Sequence, residues 1–424
     1  PLEGSYEMPS DWRARKYPGT WRTVAEYRKL LENMRPAPNV VFLAGHRALR
    51  VGVIGSEHRR ASRNELEKMK LRLRRAMDEG ARGFSTGLIY APAMCAAPEE
   101  IIELARTAAQ YGGIYTTHMR SEGEHLPAAL DETIDVARQS GVRVEISHLK
   151  VAGRSNWHLI DRALEKIRKA REECIPVAAD RYPYTSSFTE LDVVFPDWAQ
   201  EGGAQAMLQR LRDHSARMKI SRELASSRPP DYWNTVILGS AWCREYSPFQ
   251  GKPISESAQL MGLSPVDAVL RLVEAGKGRT CAFFSGMSDE NMLRILAEPC
   301  VMLGTDASLR APWGPLGDDY PHPRTYGSFP RFLGMALEGR TVSIEEAVRK
   351  MTSLPCEHFR LHKRGLLKRG YAADIVVIDP ATVKDTASYE KPHSLAKGLK
   401  YAIINGVVTF SRGNLTGKRG GAWL

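Results

Sequence analysis

Two histidines follow neighbouring predicted strands and have the residue type and position for metal chemistry. His118 comes directly after the apolar run 113–117, and His148 comes directly after the run 142–147, one strand–helix unit later. If these strands pair in parallel, about 5 Å apart, both imidazoles face one point at the carboxyl edge of the sheet. Two imidazoles supply half of a tetrahedral zinc site. Either histidine alone would more simply be a structural or surface residue.

An aspartate ends a third predicted strand. Asp306 closes the run 301–306, which places its carboxylate at the same edge as the two histidines. A carboxylate there can accept a proton from a metal-activated water and later deliver it to a leaving nitrogen. The alternative is a helix cap or a turn residue.

Three further polar residues have positions suited to a substrate carboxylate. Lys150 lies two residues past His148, Tyr182 follows the predicted strand 175–179, and Arg324 follows Asp306 in the run His-Pro-Arg. Arginine can bind a carboxylate through two parallel hydrogen bonds, whereas lysine acts as a point charge. Taken singly, each could equally have a surface or packing role.

Short apolar strands alternate with amphipathic helices over the first half of the chain, and these elements must position the polar residues. The predicted strands are 39–44, 83–87, 113–117, 142–147 and 175–179, and the helices between them are 62–79, 98–110, 127–139 and 157–171. Such alternation is typical of a parallel sheet covered by helices. His46, after the first strand, fits the same edge, but we expect it to have a hydrogen-bonding or structural role.

The alternation of strands and helices is interrupted after residue 185, resumes near residue 281 and gives way to β-strands at the end of the chain. Residues 186–277 contain few clear strands, and strand–helix alternation resumes with the run 281–285, the helix 289–297, the strand 301–304 and the helix 343–351. A strand within 370–379 and a hairpin around Asn405-Gly406 end the chain. We therefore predict a first barrel part (1–185), an inserted subdomain (186–278), a last barrel part (279–360) and a C-terminal β portion (361–424).

Composition excludes several classes of protein. The 424 residues are 43% hydrophobic, with a net charge of +11, and no apolar run is long enough to cross a bilayer. Ten lysines and arginines between residues 47 and 75 indicate a solvated helix face, capped by Ser62, or alternatively steering of anionic substrates; no nucleic-acid recognition motif is present. The six scattered cysteines form no CxxC pair, which favours free thiols and a cytoplasmic setting.

Several segments together resemble the N-acyl-D-amino-acid deacylases of the amidohydrolase superfamily. They are Gly-Phe-Ser-Thr-Gly-Leu-Ile-Tyr at 83–90, Thr-His-Met-Arg-Ser-Glu at 117–122, Ile-Ser-His-Leu-Lys at 146–150, Tyr-Pro-Tyr at 182–184, Gly-Thr-Asp at 304–306, His-Pro-Arg-Thr-Tyr-Gly-Ser-Phe-Pro at 322–330 and Ala-Asp-Ile-Val-Val at 373–377. They occur in order over nearly the whole chain. The combination is specific, although no single segment would be.

The resemblance implies a fold, a reaction and roles for particular residues. It implies a (β/α)₈ TIM-type barrel with an inserted subdomain and a small C-terminal β-sandwich portion. His118 and His148 would bind one or two zinc ions, and Asp306 would be the general acid and base. The substrate, an N-acyl-D-amino acid bound by Lys150, Tyr182 and Arg324, would be hydrolysed to a carboxylate and a D-amino acid. No nucleic-acid or membrane partner is implied.

The sequence also departs from that family. Its members carry a His-x-Asp-x-His or related pattern on the first barrel strand and then a Gly-Asn-Cys-Gly run with a zinc-binding cysteine, and neither occurs here. Phe188 stands where members tend to have a small hydroxyl residue. We therefore expect an N-terminally incomplete barrel whose zinc site is short of ligands. This chain alone would be weakly active or inactive unless a preceding segment or an oligomer partner completes it.

Two rival functions remain at this point. One is a related amidohydrolase that cleaves cyclic amides, as hydantoinases and dihydropyrimidinases do. The other is a non-catalytic remnant that binds a ligand in the same cleft. Metal content and an assay of linear against cyclic amides would separate the three.

Overall fold

The computed structural model describes residues 21–424, so the start of the predicted first barrel part lies outside the described residues. Six parallel strands form the central sheet in the order β1-β2-β3-β4-β5-β9. They are β1 (Ala44–Gly45), β2 (Gly83–Gly87), β3 (Ile114–His118), β4 (Arg143–Ile146), β5 (Val177–Arg181) and β9 (Val301–Leu303). The predicted parallel α/β architecture is confirmed, and all six strands present their carboxyl ends at one edge.

Of the helices that connect β1 to β5, the last four begin and end close to where their sequence signals predict. The connecting helices are His46–Ile54, Arg63–Asp78, Pro98–Gln110, Leu126–Ser140 and Ile160–Glu172, and Val24–Met34 precedes them. The Ser62 side chain accepts a hydrogen bond from the backbone N–H of Glu65, whose side chain returns to the Ser62 N–H, so the predicted capping box is present. Apolar faces of these helices pack on the sheet as one large buried cluster.

The first predicted strand is wrong in its extent. Only Ala44–Gly45 pairs with β2, and a helix that the sequence pattern did not predict begins at His46. His46 Nε2 lies 2.8 Å from Glu100 Oε1, and Arg50 binds the same carboxylate. The helix buries two charged or titratable side chains against a distant glutamate, and such a tertiary partner leaves no trace in local periodicity.

A second sheet of three antiparallel strands lies outside the central sheet. Its order is β6 (Ser186–Glu190), β8 (Cys281–Ser285), β7 (Val236–Leu238). The bounds predicted for β8 are correct, but the prediction that it resumes the central sheet is wrong, because it pairs antiparallel with both neighbours. An apolar run predicts a buried strand, but it does not predict which strands will pair with it.

The region around this second sheet has an apolar core of its own. Buried residues from the helices of the region and from β7 and β8 form one cluster that is separate from the main core. Its helices are Asp197–Gln200, Gly203–Arg212, His214–Ser227, Ile254–Met261 and Pro265–Ala275. The proposed boundaries of the inserted subdomain and of its neighbours stay predictions.

The last part of the chain contributes four helices and a third sheet. The helices are Asp289–Ala297, Arg324–Leu337, Ile344–Met351 and Ser353–His358; the antiparallel sheet has the order β10 (Ile375–Ile378), β11 (Leu399–Ile404), β12 (Val407–Ser411), β13 (Asn414–Leu415). Asn405 and Gly406 have φ values of 48° and 81°. Two consecutive positive φ angles suit a two-residue hairpin, so the predicted turn is confirmed.

The carboxyl-terminal residues return to the first strand region. The backbone N–H of Val40 donates to Ala422 O (2.8 Å), and the N–H of Leu424 donates to Val40 O (2.9 Å). The Trp423 ring stacks on Phe42 with centroids 5.6 Å apart, and its Nε1–H donates to Gly80 O (3.1 Å). This tail contact covers the backbone and the ring that precede β1.

Two expectations about the chain's environment can be compared with the structure. Within residues 21–424, no helix is both long enough and apolar enough to cross a bilayer. All six cysteines are free thiols, as their spacing predicts. The cytoplasmic setting stays a prediction.

Candidate metal centre

The structure brings the two predicted histidines together at the carboxyl edge of the central sheet. His118 is the last residue of β3, and His148 lies two residues beyond β4, which is paired with β3. His118 Nδ1 lies 3.1 Å from His148 Nε2, and the ring planes are inclined by 69°. Two ring nitrogens at this separation are placed to share one metal ion.

Burial keeps the first of these rings neutral. Desolvation lowers the pKa of His118 to about 4, and the positive charge of Lys150 acts in the same direction, while Glu122 opposes it. A neutral imidazole is the form that binds a metal. The ring is therefore ready to bind without first losing a proton near neutral pH.

Glu122 is the third member of the cluster and was not given a role from the sequence. Within residues 21–424, His118, Glu122 and His148 are the one group of three or more potential ligands, and their donor atoms lie within 4.8 Å of one another. Glu122 lies in the loop after β3, four residues past His118 in the segment 117–122 that carries the family resemblance. That spacing from a strand-end histidine is the signal by which it could have been found.

The positions of the ring nitrogens give Glu122 an orienting role. Glu122 Oε1 lies 2.9 Å from His148 Nδ1, the nitrogen opposite the one that faces His118. In the tautomer that suits a metal, a proton on Nδ1 donates to Glu122 and leaves Nε2 bare; in the other tautomer, a bare Nδ1 accepts from Lys150 Nζ, 2.7 Å away. Glu122 Oε2 is 3.8 Å from His118 Nε2, again the nitrogen that points away from the pair. Carboxylates that bind the outer nitrogen of a ligand histidine fix its tautomer and ring orientation.

Lys150 lies inside this network. Its Nζ contacts Glu122 Oε1 and lies 2.7 Å from His148 Nδ1, and its side chain is almost fully buried. Burial would raise the pKa of Glu122, but Lys150 and the two imidazoles outweigh it and hold that pKa well below the ordinary value. Glu122 is therefore ionised, and the charge of Lys150 is committed to it. The structure places Lys150 behind His148, and its predicted contact with substrate stays a prediction.

Replacing Glu122 by glutamine should weaken metal binding. Because the amide of Glu122→Gln is a poorer acceptor for His148 Nδ1–H, we expect roughly 10- to 100-fold lower affinity for Zn²⁺, the usual effect of losing an orienting carboxylate. Titration of the metal-free protein against a competing chelator measures this directly. Glu124→Gln, an exposed change in the same loop, is the matched control. Equal affinity in the two variants would contradict the orienting role.

The backbone of His148 is held in an unusual conformation by a neighbouring strand. Its φ is 42°, in the left-handed region, and its N–H donates to Asp180 Oδ1 (2.9 Å). A Cβ atom at position 304 would overlap the same carboxylate, so Gly304 leaves the space that Asp180 occupies. Left-handed backbone costs about 1–2 kcal/mol in a residue with a side chain, and such strain concentrates at functional sites.

A second buried carboxyl lies beside Asp180. Burial raises the pKa of Glu145 well above its ordinary value, and the neighbouring Asp180 carboxylate raises it further. Ser147 Oγ–H donates to Glu145 Oε2 (2.9 Å). Glu145 is therefore harder to ionise than an ordinary carboxyl, and Asp180 accepts the His148 N–H beside it.

Asp306 and two of the predicted substrate residues form the second half of the site. Asp306 Oδ2 lies 2.6 Å from Arg324 Nη1, and the Arg324 guanidinium lies over the Tyr182 ring, 4.6 Å from its centroid. The Asp306 charge contributes to raising the pKa of His118, opposing burial, which places the carboxylate within electrostatic reach of that ring. Asp306 itself has a φ of 46°. Two residues of the site thus share left-handed backbone.

Tyr90 lies beside His118 and was also given no role from the sequence. Their ring centroids are 5.2 Å apart, and the Tyr90 hydroxyl lies 3.4 Å from Thr189 Oγ1. Burial raises the pKa of Tyr90 to about 12, with smaller contributions from nearby carboxylates. Its neutral hydroxyl can donate a hydrogen bond at the rim of the site.

Comparison with known proteins agrees with this geometry. The sequence profile described as the amidohydrolase family matches residues 10–410. A D-aminoacylase of Alcaligenes xylosoxydans xylosoxydans is 36% identical over 403 residues, covering 94% of this chain and 73% of the relative. A crystal structure of D-aminoacylase, said to define a novel subset of amidohydrolases, superposes with a TM-score of 0.79 at 32% identity, covering 100% of this chain and 80% of that one.

Two further solved structures differ widely in how similar they are to this chain in sequence and in fold. N-acyl-D-glutamate deacylase from Bordetella bronchiseptica, complexed with zinc and a phosphonate mimic of the tetrahedral intermediate, has a TM-score of 0.78 at 30% identity, covering 96% of this chain and 76% of its own. Dihydropyrimidinase from Brevibacillus agri has a TM-score of 0.50 at 12% identity, covering 96% and 78%, and shares the fold alone. The profile match over most of the chain, the close relatives and the strand-end histidine pair agree, and this chain belongs to the amidohydrolase family.

Proposed function

We propose that this protein hydrolyses the amide bond of N-acyl-D-amino acids and uses zinc held by His118 and His148. The observation that carries the proposal is the 3.1 Å separation of His118 Nδ1 and His148 Nε2 at the carboxyl edge of a parallel sheet. The deacylase relatives and the zinc complex of one of them support the substrate class and the metal. The chain offers two imidazole nitrogens that face one point and an ionised carboxylate that binds the outer nitrogen of His148, an arrangement that suits zinc.

Bound zinc would polarise the amide carbonyl and lower the pKa of a water molecule. Asp306 accepts a proton from the attacking water as its oxygen bonds to the carbonyl carbon. It then gives that proton to the amide nitrogen as the carbon–nitrogen bond breaks, so a carboxylate and a free amino group leave. Asp306 suits this work because its side chain is about one third exposed and therefore accessible to water and substrate.

The substrate carboxylate binds at Arg324, beside Asp306. Arg324 is 4% exposed and lies against the face of Tyr182, which is fully buried. A guanidinium fixed on a ring keeps its planar fork in one orientation, which favours binding of a carboxylate through two hydrogen bonds. Lys150 contacts Glu122, and its predicted contact with the substrate stays a prediction.

A metal measurement and a substrate panel test the proposal. Purified protein is analysed for zinc by mass spectrometry and assayed for amine release from N-acetyl-D-amino acids, their L enantiomers, hydantoin and dihydrouracil. We expect bound zinc and turnover of the D substrates above all others, a result that would also correct the expectation of weak or absent activity for this chain alone. Faster hydrolysis of the cyclic amides would favour the hydantoinase-like alternative. Absence of both zinc and turnover would favour a non-catalytic binding protein and overturn the proposal.

A further inference from the structure

Arg324 contacts the carboxylate proposed to move the proton. Arg324 Nη1 lies 2.6 Å from Asp306 Oδ2, yet neither Nη1 nor Nε has a hydrogen-bond partner of acceptable geometry. The two groups are thus joined by charge and proximity, while N–H groups of the guanidinium remain unused. Buried N–H groups without acceptors are costly, so this guanidinium is poised to bind a further acceptor.

The surroundings of Arg324 contain more positive than negative charge. A second buried guanidinium, that of Arg181, lies 4.3 Å from the centroid of the same Tyr182 ring, and its Nε and Nη1 also lack hydrogen-bond partners. Among residues 21–424, Asp306 is the one carboxylate recorded in an ion pair with either arginine. The Tyr182 hydroxyl is buried without a partner as well. This cluster can accommodate one more carboxylate.

We propose that Arg324 holds Asp306 until the carboxylate of the substrate takes its place on the guanidinium, which frees Asp306 to accept the proton of the attacking water. This inference rests on the proposed function, and it makes the substrate carboxylate a requirement of the chemical step as well as of binding. A carboxylate whose Oδ2 lies against a guanidinium is a weaker base towards a water molecule than a free one, because the positive charge stabilises its ionised form. A ligand that binds Arg324 better than Asp306 does shifts the pair towards the released state.

If the substrate carboxylate displaces Asp306 from Arg324, the affinity for a carboxylate that cannot be hydrolysed should change in opposite directions in two variants. The probe is 2-isobutyl-4-oxopentanoate, the isostere of N-acetyl-D-leucine in which a methylene replaces the amide nitrogen, so it cannot be hydrolysed. In Asp306→Asn the competitor for Arg324 has lost its charge, and we expect calorimetry to show about fivefold tighter binding of this probe. Arg324→Gln should bind it at least about tenfold more weakly. Unchanged or weaker binding by Asp306→Asn would overturn the exchange.

Turnover of two amides that differ only in a carboxylate shows whether Arg324 controls the release of Asp306 or only binds the substrate. N-acetyl-D-leucine carries the carboxylate, and N-(3-methylbutyl)acetamide is the same molecule without it. We expect Arg324→Gln to lower kcat for the first and to raise kcat for the second, since Asp306 is no longer held. Added acetate should accelerate hydrolysis of the second amide by the wild type and not by the variant. An arginine that only binds substrate would leave the second amide unaffected, and one that only supports the fold would slow both.

Arg331→Gln is the matched control on the same helix. Arg331 Nη1 pairs with Asp385 at 3.2 Å and lies over the Tyr184 ring at 4.7 Å, so it repeats the arrangement of Arg324 without contacting Asp306. It should show neither the opposed kcat changes nor the loss of acetate activation. If the wild type hydrolyses neither amide, the proposed function fails, and the binding measurements still decide whether Asp306 and a carboxylate compete for Arg324.

Discussion

Replacement of His148 by alanine is expected to abolish metal binding and with it nearly all amide hydrolysis. The change removes one of two facing ring nitrogens, and His118 alone, with Glu122 still paired to Lys150, cannot hold the ion. Loss of a metal contribution of several kcal/mol corresponds to a fall in kcat/KM of at least about 10³-fold. Zinc content measured by mass spectrometry and initial rates with an N-acetyl-D-amino acid give the two numbers required.

Two controls show whether any loss in His148→Ala comes from misfolding or from removing a histidine at another position. His158→Ala removes an exposed histidine at the start of the neighbouring helix region and should keep both zinc and activity. Far-ultraviolet circular dichroism should be the same for both variants, because His148 lies in a loop after β4. Retention of stoichiometric zinc by folded His148→Ala would show that the ion is held elsewhere, and the candidate metal centre would be wrong.

Asp306→Asn is expected to separate chemistry from metal binding. The asparagine keeps the shape of the side chain but cannot accept the water proton, so we expect kcat to fall by about 10²- to 10⁴-fold, the usual contribution of a general base. Zinc content should not change, because Asp306 is not part of the His118–Glu122–His148 cluster. KM should not rise, since the substrate no longer competes with a charged residue for Arg324.

Steady-state kinetics measures kcat and KM, and zinc analysis of the same preparation measures the metal content, so all three expected values are tested together. Asp289→Asn, an exposed change in the first turn of a helix, is the control and should match the wild type. Loss of zinc from Asp306→Asn would make Asp306 a ligand. A kcat within a factor of a few of the wild type would assign the proton transfer to another group.

Local signals explain why much of the fold could be predicted. The helix Pro98–Gln110 has proline at its first position, an apolar stripe and two early glutamates, all within its own length. Asn405-Gly406 can adopt consecutive positive φ angles, so the hairpin follows from two adjacent residues. In both cases the information lies next to the structure that it determines.

Partners distant in sequence explain what could not be predicted. The strand Cys281–Ser285 was recognised, but its pairing with β6 and β7 depends on chain segments far before it. The helix that begins at His46 depends on Glu100 in the same way. Periodicity identifies an element, and the element's neighbours follow from packing that a single sequence does not display.

In the candidate site, too, local sequence signals predicted some residues, whereas contacts between distant segments had to be seen in the structure. His118 and His148 could be found because each directly follows a strand, and parallel strands end at one edge. The ion pair between Asp306 and Arg324 spans a loop and a helix start, so its formation depends on how that loop folds back. Glu122 had the required spacing from His118, but its role became evident only when the outer nitrogen of His148 was seen to face it.

The contact between Trp423 and the residues before β1 has a consequence for the order in which the protein is made. A ribosome synthesises the Phe42 ring and the Val40 backbone long before it delivers Trp423. Until then, the rim of the nascent sheet has an open hydrogen-bonding edge and a bare aromatic surface, the features that attract chaperones or other unfinished chains. Completion of this side of the molecule therefore has to wait until the segment that carries Trp423 has been synthesised.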